Sequence, residues 1–500
     1  MSAVVAVALA DARQRTRTFT TLLIVAFALQ IGYLFVPDAS AAYVTVNLGG
    51  WRGIYDSHWM GAATALMIVT LFPLVGFFLV RPAMTRDGSL GTLDLMLAAP
   101  LSRASIVLGK WLSNVAVLAG VAGVTMLAAI VMQLVRSEDR TIDLAAYLLP
   151  YLFVVLPACA VTAACAVVFS TIPGLGGIVG GVVWFFVWTA MLAVPIGQSE
   201  GTRLVAAEPF GLTAITSSLF ASLQAHAGNA VAIKHELDIG FSTSAGIKTF
   251  PFSGIVWTPA LLLYRVLWTA AAALACVAVS PLAFRTRPRA PRPRAAVLTR
   301  IVGALPLPRL LHAELLQGVG LAGPWWALGV AVLTVGALFA SGQASARGFA
   351  PLAWVWPIGP IAALSVADVR AGLDGVLLAT PTPAWRRVVA RWLAAFLLAA
   401  LPIAALAVHG GLAGISLLAV GAAVAAVGIA LGTIARAAVA FEGLALIAWY
   451  LGPVNQLPAL DPSQAVNTPI AASLTAAAVT LIALAIASSR AGARQDSTKG

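Results

Sequence analysis

The chain has 500 residues, 61% of them hydrophobic and only 10% charged, with a net charge of +12 and a mean hydropathy of +0.96. Soluble domains carry about 25% charged residues, so these proportions exclude a water-exposed globular surface and fit a surface that meets lipid. The positive balance reads as loops obeying the positive-inside rule. It does not read as a nucleic-acid platform, because no basic stretch is interleaved with exposed aromatics.

In chain order, Ala10–Thr18 is a moderately polar amphipathic stretch carrying Arg13, Arg15 and Arg17. Apolar runs follow at 19–36 and 60–80, each about the 20 residues a membrane helix needs. The first run, with Ala39-Ser40-Ala41 behind it, resembles a cleavable signal peptide. A retained span is the reading adopted, because it keeps the two halves of the chain balanced. Arg81, Arg86, Arg103 and Lys110 mark the loop after the second run. Further runs lie at 106–134, 145–169, 175–196 and 257–282. The three cysteines, Cys159, Cys165 and Cys276, fall inside such runs without C-x-x-C spacing and read as small core hydrophobes.

Residues 197–255 form the longest stretch outside the runs. Within it Glu208–His226 predicts an amphipathic helix, with Phe210, Leu212, Ile215, Leu219 and Leu223 on one side. Residues 238–257 read as irregular or extended. The stretch is expected to cap the external mouth of a path as a gate, the plainer reading being a folded lid with no gating role. Arg265, in the run at 257–282, is a costly charge for a span unless paired or functional. It is expected to snorkel toward the outer interface.

A proline- and arginine-rich segment, Arg285-Thr-Arg-Pro-Arg-Ala-Pro-Arg-Pro-Arg294, follows; Pro keeps it extended and like charges keep it solvated. The second half opens with another polar amphipathic stretch, Leu310–Gly320. Its runs lie at 324–341, 350–366, 388–409, 412–434, 439–455 and 468–488. The predicted fold is an all-α integral membrane protein of about twelve spans in two six-helix pseudo-repeats. The first half is 1–284, a linker covers 285–308, and the second half is 309–500. Most of the basic residues fall on one side of this arrangement, including Arg370, Arg386, Arg387, Arg391, Arg436, Arg490, Arg494 and Lys499. That side is taken as cytoplasmic and holds both termini.

The halves also match residue by residue. Residues 87–112 read DGSLGTLDLMLAAPLSRASIVLGKWL and 368–393 read DVRAGLDGVLLATPTPAWRRVVARWL. At one fixed offset Asp87 falls on Asp368, Gly91 on Gly372, Pro100 on Pro381, Lys110 on Arg391 and Trp111 on Trp392. Repeats of Gly, Pro, Asp and Trp at one offset point to duplication.

Several chemistries lack their residues. No G-x-x-x-x-G-K-[ST] string occurs, since Gly109-Lys110 is followed by Trp111, so no ATP hydrolysis is expected in this chain. The five histidines are scattered and no metal or cofactor site is expected. Gly197-Gln-Ser-Glu-Gly201 has the spacing of a nucleophile elbow, but a span precedes it where a strand is required. Ser199 is therefore read as a loop residue, and no catalytic residue is assigned. Trp184, Phe185, Phe186 and Trp188 form an aromatic stripe. With Arg265 they are the candidates for a substrate path, against the plainer reading of packing or lipid contact.

Gly91-Thr-Leu-Asp-Leu-Met-Leu-Ala-Ala-Pro-Leu-Ser-Arg103, followed by Ile106-Val-Leu-Gly-Lys110, resembles the signature of ABC-2 type exporter permeases. The second copy departs from it: Gly375 replaces Asp94, Thr382-Pro383-Ala384 replaces Leu-Ser-Arg, and Arg391 replaces Lys110. The resemblance implies that the segment after span two is a coupling helix docking on an ATP-binding subunit. It would use Arg86, Asp87, Gly91, Thr92, Leu93, Asp94, Pro100 and Arg103, with Asp368, Gly372 and Pro381 in the second copy. It implies fused halves like those of bacterial antibiotic exporter permeases. One chain would serve two ATPase subunits that hold ATP and magnesium, in a bacterial plasma membrane, with a small hydrophobic compound as cargo. The residues alone allow a second reading of the segment: Pro100 and Gly91 permit a tight turn, and a short amphipathic element beside a membrane also lies well on lipid. A secondary transporter and a non-transporting scaffold or sensor are the alternative functions.

Overall fold

The computed structural model describes residues 2–16, 19–84, 87, 93–175, 178–197, 208–228, 237–284, 296–339, 349–373, 377, 380, 382–410, 412–454, 461 and 480–486. Contacts divide the chain into two compact units, Met1–Pro288 and Arg289–Gly500. Among the described residues six helices are long and apolar enough to cross a membrane, or seven if one bent pair counts as a single span. Four shorter apolar helices, at Ile24–Phe35, Val183–Leu192, Ala350–Ser365 and Ala440–Trp449, fall inside four of the other runs. The last run, 468–488, lies outside the described residues except for 480–486.

In the first unit α1 (Ala3–Thr16) and α2 (Phe19–Phe35) lead to two short strands, β1 (Tyr43–Leu48) and β2 (Trp51–Gly53). The buried helix α3 (Ser57–Val80) follows, started by Asp56, whose carboxylate accepts from the Trp59 amide at 2.8 Å. Such a cap satisfies one of the amide groups that a helix start leaves unpaired. A short helix, α4 (Leu93–Ala98), precedes α5 (Arg103–Arg136), which Ser102 caps. Next, α6 (Leu144–Pro150) passes through one π-helical turn, Tyr151–Val155, into α7 (Leu156–Thr171). The unit closes with α8 (Ile178–Gly197), α9 (Leu212–Ala227), β3 (Leu237–Thr243), β4 (Lys248–Phe250) and α10 (Pro259–Val279). α3 is the centre of this unit and packs on α5, α6, α7 and α8. Close approach depends on small residues: a Cβ on Gly61 would meet the Ala146 carbonyl oxygen at 2.2 Å.

The unit has two distinct ends. At the elbow end, α1 lies against the start of α5. At the strand end, β1 pairs antiparallel with β3 and β2 pairs parallel with β4. The described residues are mostly helical, as expected, and this small strand region is the exception. Tyr43-Val-Thr-Val-Asn-Leu48 is rich in β-branched residues and ends at Gly49-Gly50, which is strand chemistry. Residues 238–257, expected to be irregular or extended, contain its partner strand. Arg52 joins β2 to the end of α5 through two bonds to the Glu138 carboxylate, at 2.9 and 2.8 Å. The Arg52 hydrogen bond holds the Glu138 carboxyl below its ordinary range, against partial burial.

In the second unit α11 (Ala296–Gly303) precedes α12 (Arg309–Phe339), which breaks at Gly323 (φ 79°) ahead of Pro324. Gly supplies the left-handed turn and Pro the missing amide, so the chain bends sharply. Then come α13 (Ala350–Val355), α14 (Ile358–Ser365), α15 (Ala367–Ala371), α16 (Ala384–Gly410), α17 (Leu412–Ala435) and α18 (Val439–Trp449). The break between α13 and α14 falls at Pro357, inside the proline-bearing run at 350–366.

Candidate functional site: a charged brace repeated in both units

Lys110 is a membrane-helix lysine with 2% exposure. A buried ammonium is strongly unfavourable unless acids surround it. Two do: the Lys110 Nζ lies 2.7 Å from Asp11 Oδ1 and 2.8 Å from Asp87 Oδ2. Asp11 comes from the elbow helix α1, Asp87 from the segment after α3, and Lys110 from the second turn of α5. The three link an elbow, the base of the segment leading to Pro100, and a spanning helix. Arg15 is also buried, 2.8 Å from Asp11 Oδ2, and donates to Asn114 Oδ1 at 2.7 Å. The Ser113 hydroxyl donates to Asp11 Oδ2 at 2.6 Å. Burial by itself raises the Asp11 carboxyl; Arg15 and Lys110 outweigh it and hold the group below the ordinary carboxylate value.

Gly109 explains why Gly precedes Lys here. A Cβ at 109 would lie 2.7 Å from Val7 Cβ, so any larger residue would push α1 away from α5 and take Asp11 out of reach.

The second unit builds the same three-way link. Arg391, on α16, donates through Nε and Nη2 to both Glu314 oxygens at 2.9 and 3.0 Å. Its Nη2 also lies 2.7 Å from Asp368 Oδ2. Glu314 belongs to the elbow part of α12 and Asp368 to α15. A planar guanidinium grips a carboxylate with two parallel bonds. The neighbouring tryptophans behave alike too: Trp111 Nε1 donates to Ala160 O at 3.0 Å and Trp392 Nε1 to Ala422 O at 2.9 Å. Asp11 and Glu314 were not singled out in the sequence. The available signal was an acid in an otherwise apolar or basic elbow, ahead of a span that carries a cation in its first turns.

Next to each brace the chain is exposed. Leu97 is 39% exposed; Pro100, Ser102 and Arg103 are also exposed. In the second unit Leu373 and Trp385 are exposed, with Arg386 5.3 Å from the Trp385 ring centre. Gly372 sits at φ +65° and ends α15, a left-handed cap suited to glycine. Of the residues assigned to coupling, Asp87 and Asp368 are not on this exposed surface. Asp87 is buried under Lys110, and Asp368 is only partly exposed beside Arg391, because the cations draw them inward. Arg86, Gly91, Thr92 and Pro381 lie outside the described residues. Leu93 and Asp94 open α4. Lys110, Arg15 and Arg391, counted in the sequence as loop charges, are inside the braces.

Two rings of the aromatic stripe are packed inside the first unit. Trp184 Nε1 donates to Pro73 O at 3.1 Å and Trp188 Nε1 to Thr70 O at 2.9 Å, and the Trp184 ring stacks 4.6 Å from Phe77. Both indoles are buried between α8 and α3. Phe185 is half-buried and Phe186 is 62% exposed. For Trp184 and Trp188 this burial fits the plainer reading of packing. The expectation for Arg265 is corrected, the residue being 2% exposed where snorkelling would expose it. Its guanidinium donates to the Glu208 carbonyl oxygen.

Residues 5–284 match the family described as ABC-2 family transporter protein. No curated protein and no solved structure matches the chain. The chain belongs to the ABC-2 transporter family.

Proposed function

We propose that this ABC-2 family chain is the transmembrane subunit of an ATP-binding-cassette exporter, with two fused six-span halves and two separate ATPase subunits. The observation that carries the reading is the brace. In each unit a buried cation on a spanning helix ties an elbow to the segment beside an exposed apolar turn. An exposed patch holding Leu97, Pro100 and Arg103 suits a protein groove, and the rigid link behind it suits the passage of force into α5. ATP and magnesium belong to the partner subunits, and this chain performs no hydrolysis.

The low charge of the spans suits a hydrophobic or amphipathic cargo, such as an antibiotic. The elbow end would face the cytoplasm of a bacterium, with both termini there, and the strand end would face outward. A secondary carrier usually needs acids in mid-span, whereas Asp11, Asp87 and Glu314 serve the braces and Glu208 lies at the strand end.

Replacing Gly91 or Pro100 with Trp tests the reading. The expected result is loss of cargo-stimulated ATPase activity with normal membrane insertion. Transport that stops on collapse of the proton gradient, and persists when ATP is depleted, would establish the secondary-carrier alternative.

A further inference from the structure

At the strand end, α9 covers the first unit with one apolar face. Leu212, Ile215, Leu219 and Leu223 are buried there, and the helix packs on α3 and α8. Its two ends are held differently. Glycines flank it, Gly211 at φ +85° and Gly228 at φ +69°. A Cβ on Gly228 would meet nothing within 4 Å; one on Gly211 would lie 2.5 Å from Val154 Cγ1 and 3.1 Å from Arg265 Nη1. The amino-terminal end is seated against Val154 and Arg265, while the carboxyl-terminal turn stays tethered through His226, whose ring lies 6.1 Å from Trp51 and 6.5 Å from Phe250.

The seat is polar. The Glu208 carboxylate accepts from the Phe210 amide at 2.8 Å and the Thr213 amide at 3.1 Å, capping the helix start. Arg265 of α10 reaches up to the Glu208 carbonyl. Burial raises the Glu208 carboxyl above its ordinary value, and the Arg265 charge opposes that rise. Arg265 is not fully satisfied: its Nε and Nη1 are buried with no hydrogen-bond partner. Buried donors without acceptors favour any state in which water reaches them. Val154, against which Gly211 rests, belongs to the π-helical turn of α6–α7, and such turns recur at functional sites.

We propose that α9 is a hinged lid and that Arg265 is its latch. Engaged, the arginine holds the Glu208 end down on the π turn and α10. Released, its two unpaired nitrogens gain water and the lid swings about its Gly228 end. The inference rests on the exporter reading only in making the strand end the exit side.

Hydrogen exchange of the full chain in lipid nanodiscs, without nucleotide or ATPase, tests it. In the wild type the α9 amides should exchange together and faster than those of α3 and α7. Arg265→Met should speed α9 exchange by about tenfold or more, the scale of one lost buried hydrogen bond, while β1 and α3 keep their protection. Arg265→Lys should give a smaller increase. Exchange of α9 in step with α3 in the wild type would overturn the proposal. So would unchanged α9 protection in Arg265→Met, or loosening spread equally to β1 and α3. Since no ATPase is present, failure here is separate from failure of the exporter reading.

Discussion

The two braces join the same three parts of their units but differ in how their charge is balanced. Around Lys110 stand Asp11, Asp87 and Arg15, two acids and two bases; Ser113 donates to Asp11 and Asn114 accepts from Arg15. Around Arg391 stand two acids, Glu314 and Asp368, and no second base joins the ion pairs described. The positions matching Ser113 and Asn114 are Ala394 and Ala395, and the position matching Arg15 is Gly318, which fits against Leu398. In the first brace the described ion pairs match two bases with two acids, all of them buried. Among the described ion pairs the second has one more acid than base, and the Asp368 side chain keeps 20% exposure. Water can help balance the second brace, whereas the first must balance itself.

The largest difference between the two units is expected from Lys110→Met set against Arg391→Met. The first leaves Asp11 and Asp87 in a buried site and should cost about 3–5 kcal/mol. The second leaves acids that can hydrate and should cost less, about 1–3 kcal/mol. Unfolding in mixed micelles measures both; equal losses would remove the distinction. A finer probe is acid. The Asp11 carboxyl lies below its unfolded value of 3.8. Its stabilisation is therefore complete above that pH and disappears as pH falls through the lower folded value. The stability difference between wild type and Asp11→Asn should shrink below about pH 4. A difference that grows in that range would contradict the assigned role. The smallest effects should come from Trp111→Phe and Trp392→Phe. Each loses one indole bond to a carbonyl, about 0.5–1.5 kcal/mol, and the two units should respond alike.

Much of this was legible in the sequence and some was not, for identifiable reasons. Apolar runs mark helices because lipid demands internally satisfied backbones, so helices occupy those runs that are described. The repeat of Asp87, Lys110 and Trp111 by Asp368, Arg391 and Trp392 announced a shared element. Its third member was hidden because Asp11 and Glu314 do not share the fixed offset; the strand-bearing connection after α2 has no counterpart of equal length in the second half. The strands themselves were obscured because β1 and β3 lie far apart in sequence. Arg265 looked like a snorkelling cation because its partner, Glu208, lies 57 residues away. Trp184 and Trp188 show the limit of composition: an aromatic stripe reads the same whether it lines a path or fills a helix interface.

The exporter reading requires an ATPase to grip the exposed turn beside each brace. Photo-crosslinking residues placed at Leu97 and Trp385, in the full chain in native membranes, test it most directly. Both positions should capture one and the same phosphate-loop ATPase subunit. Capture of lipid alone at both, with the protein folded and inserted, would contradict the claim.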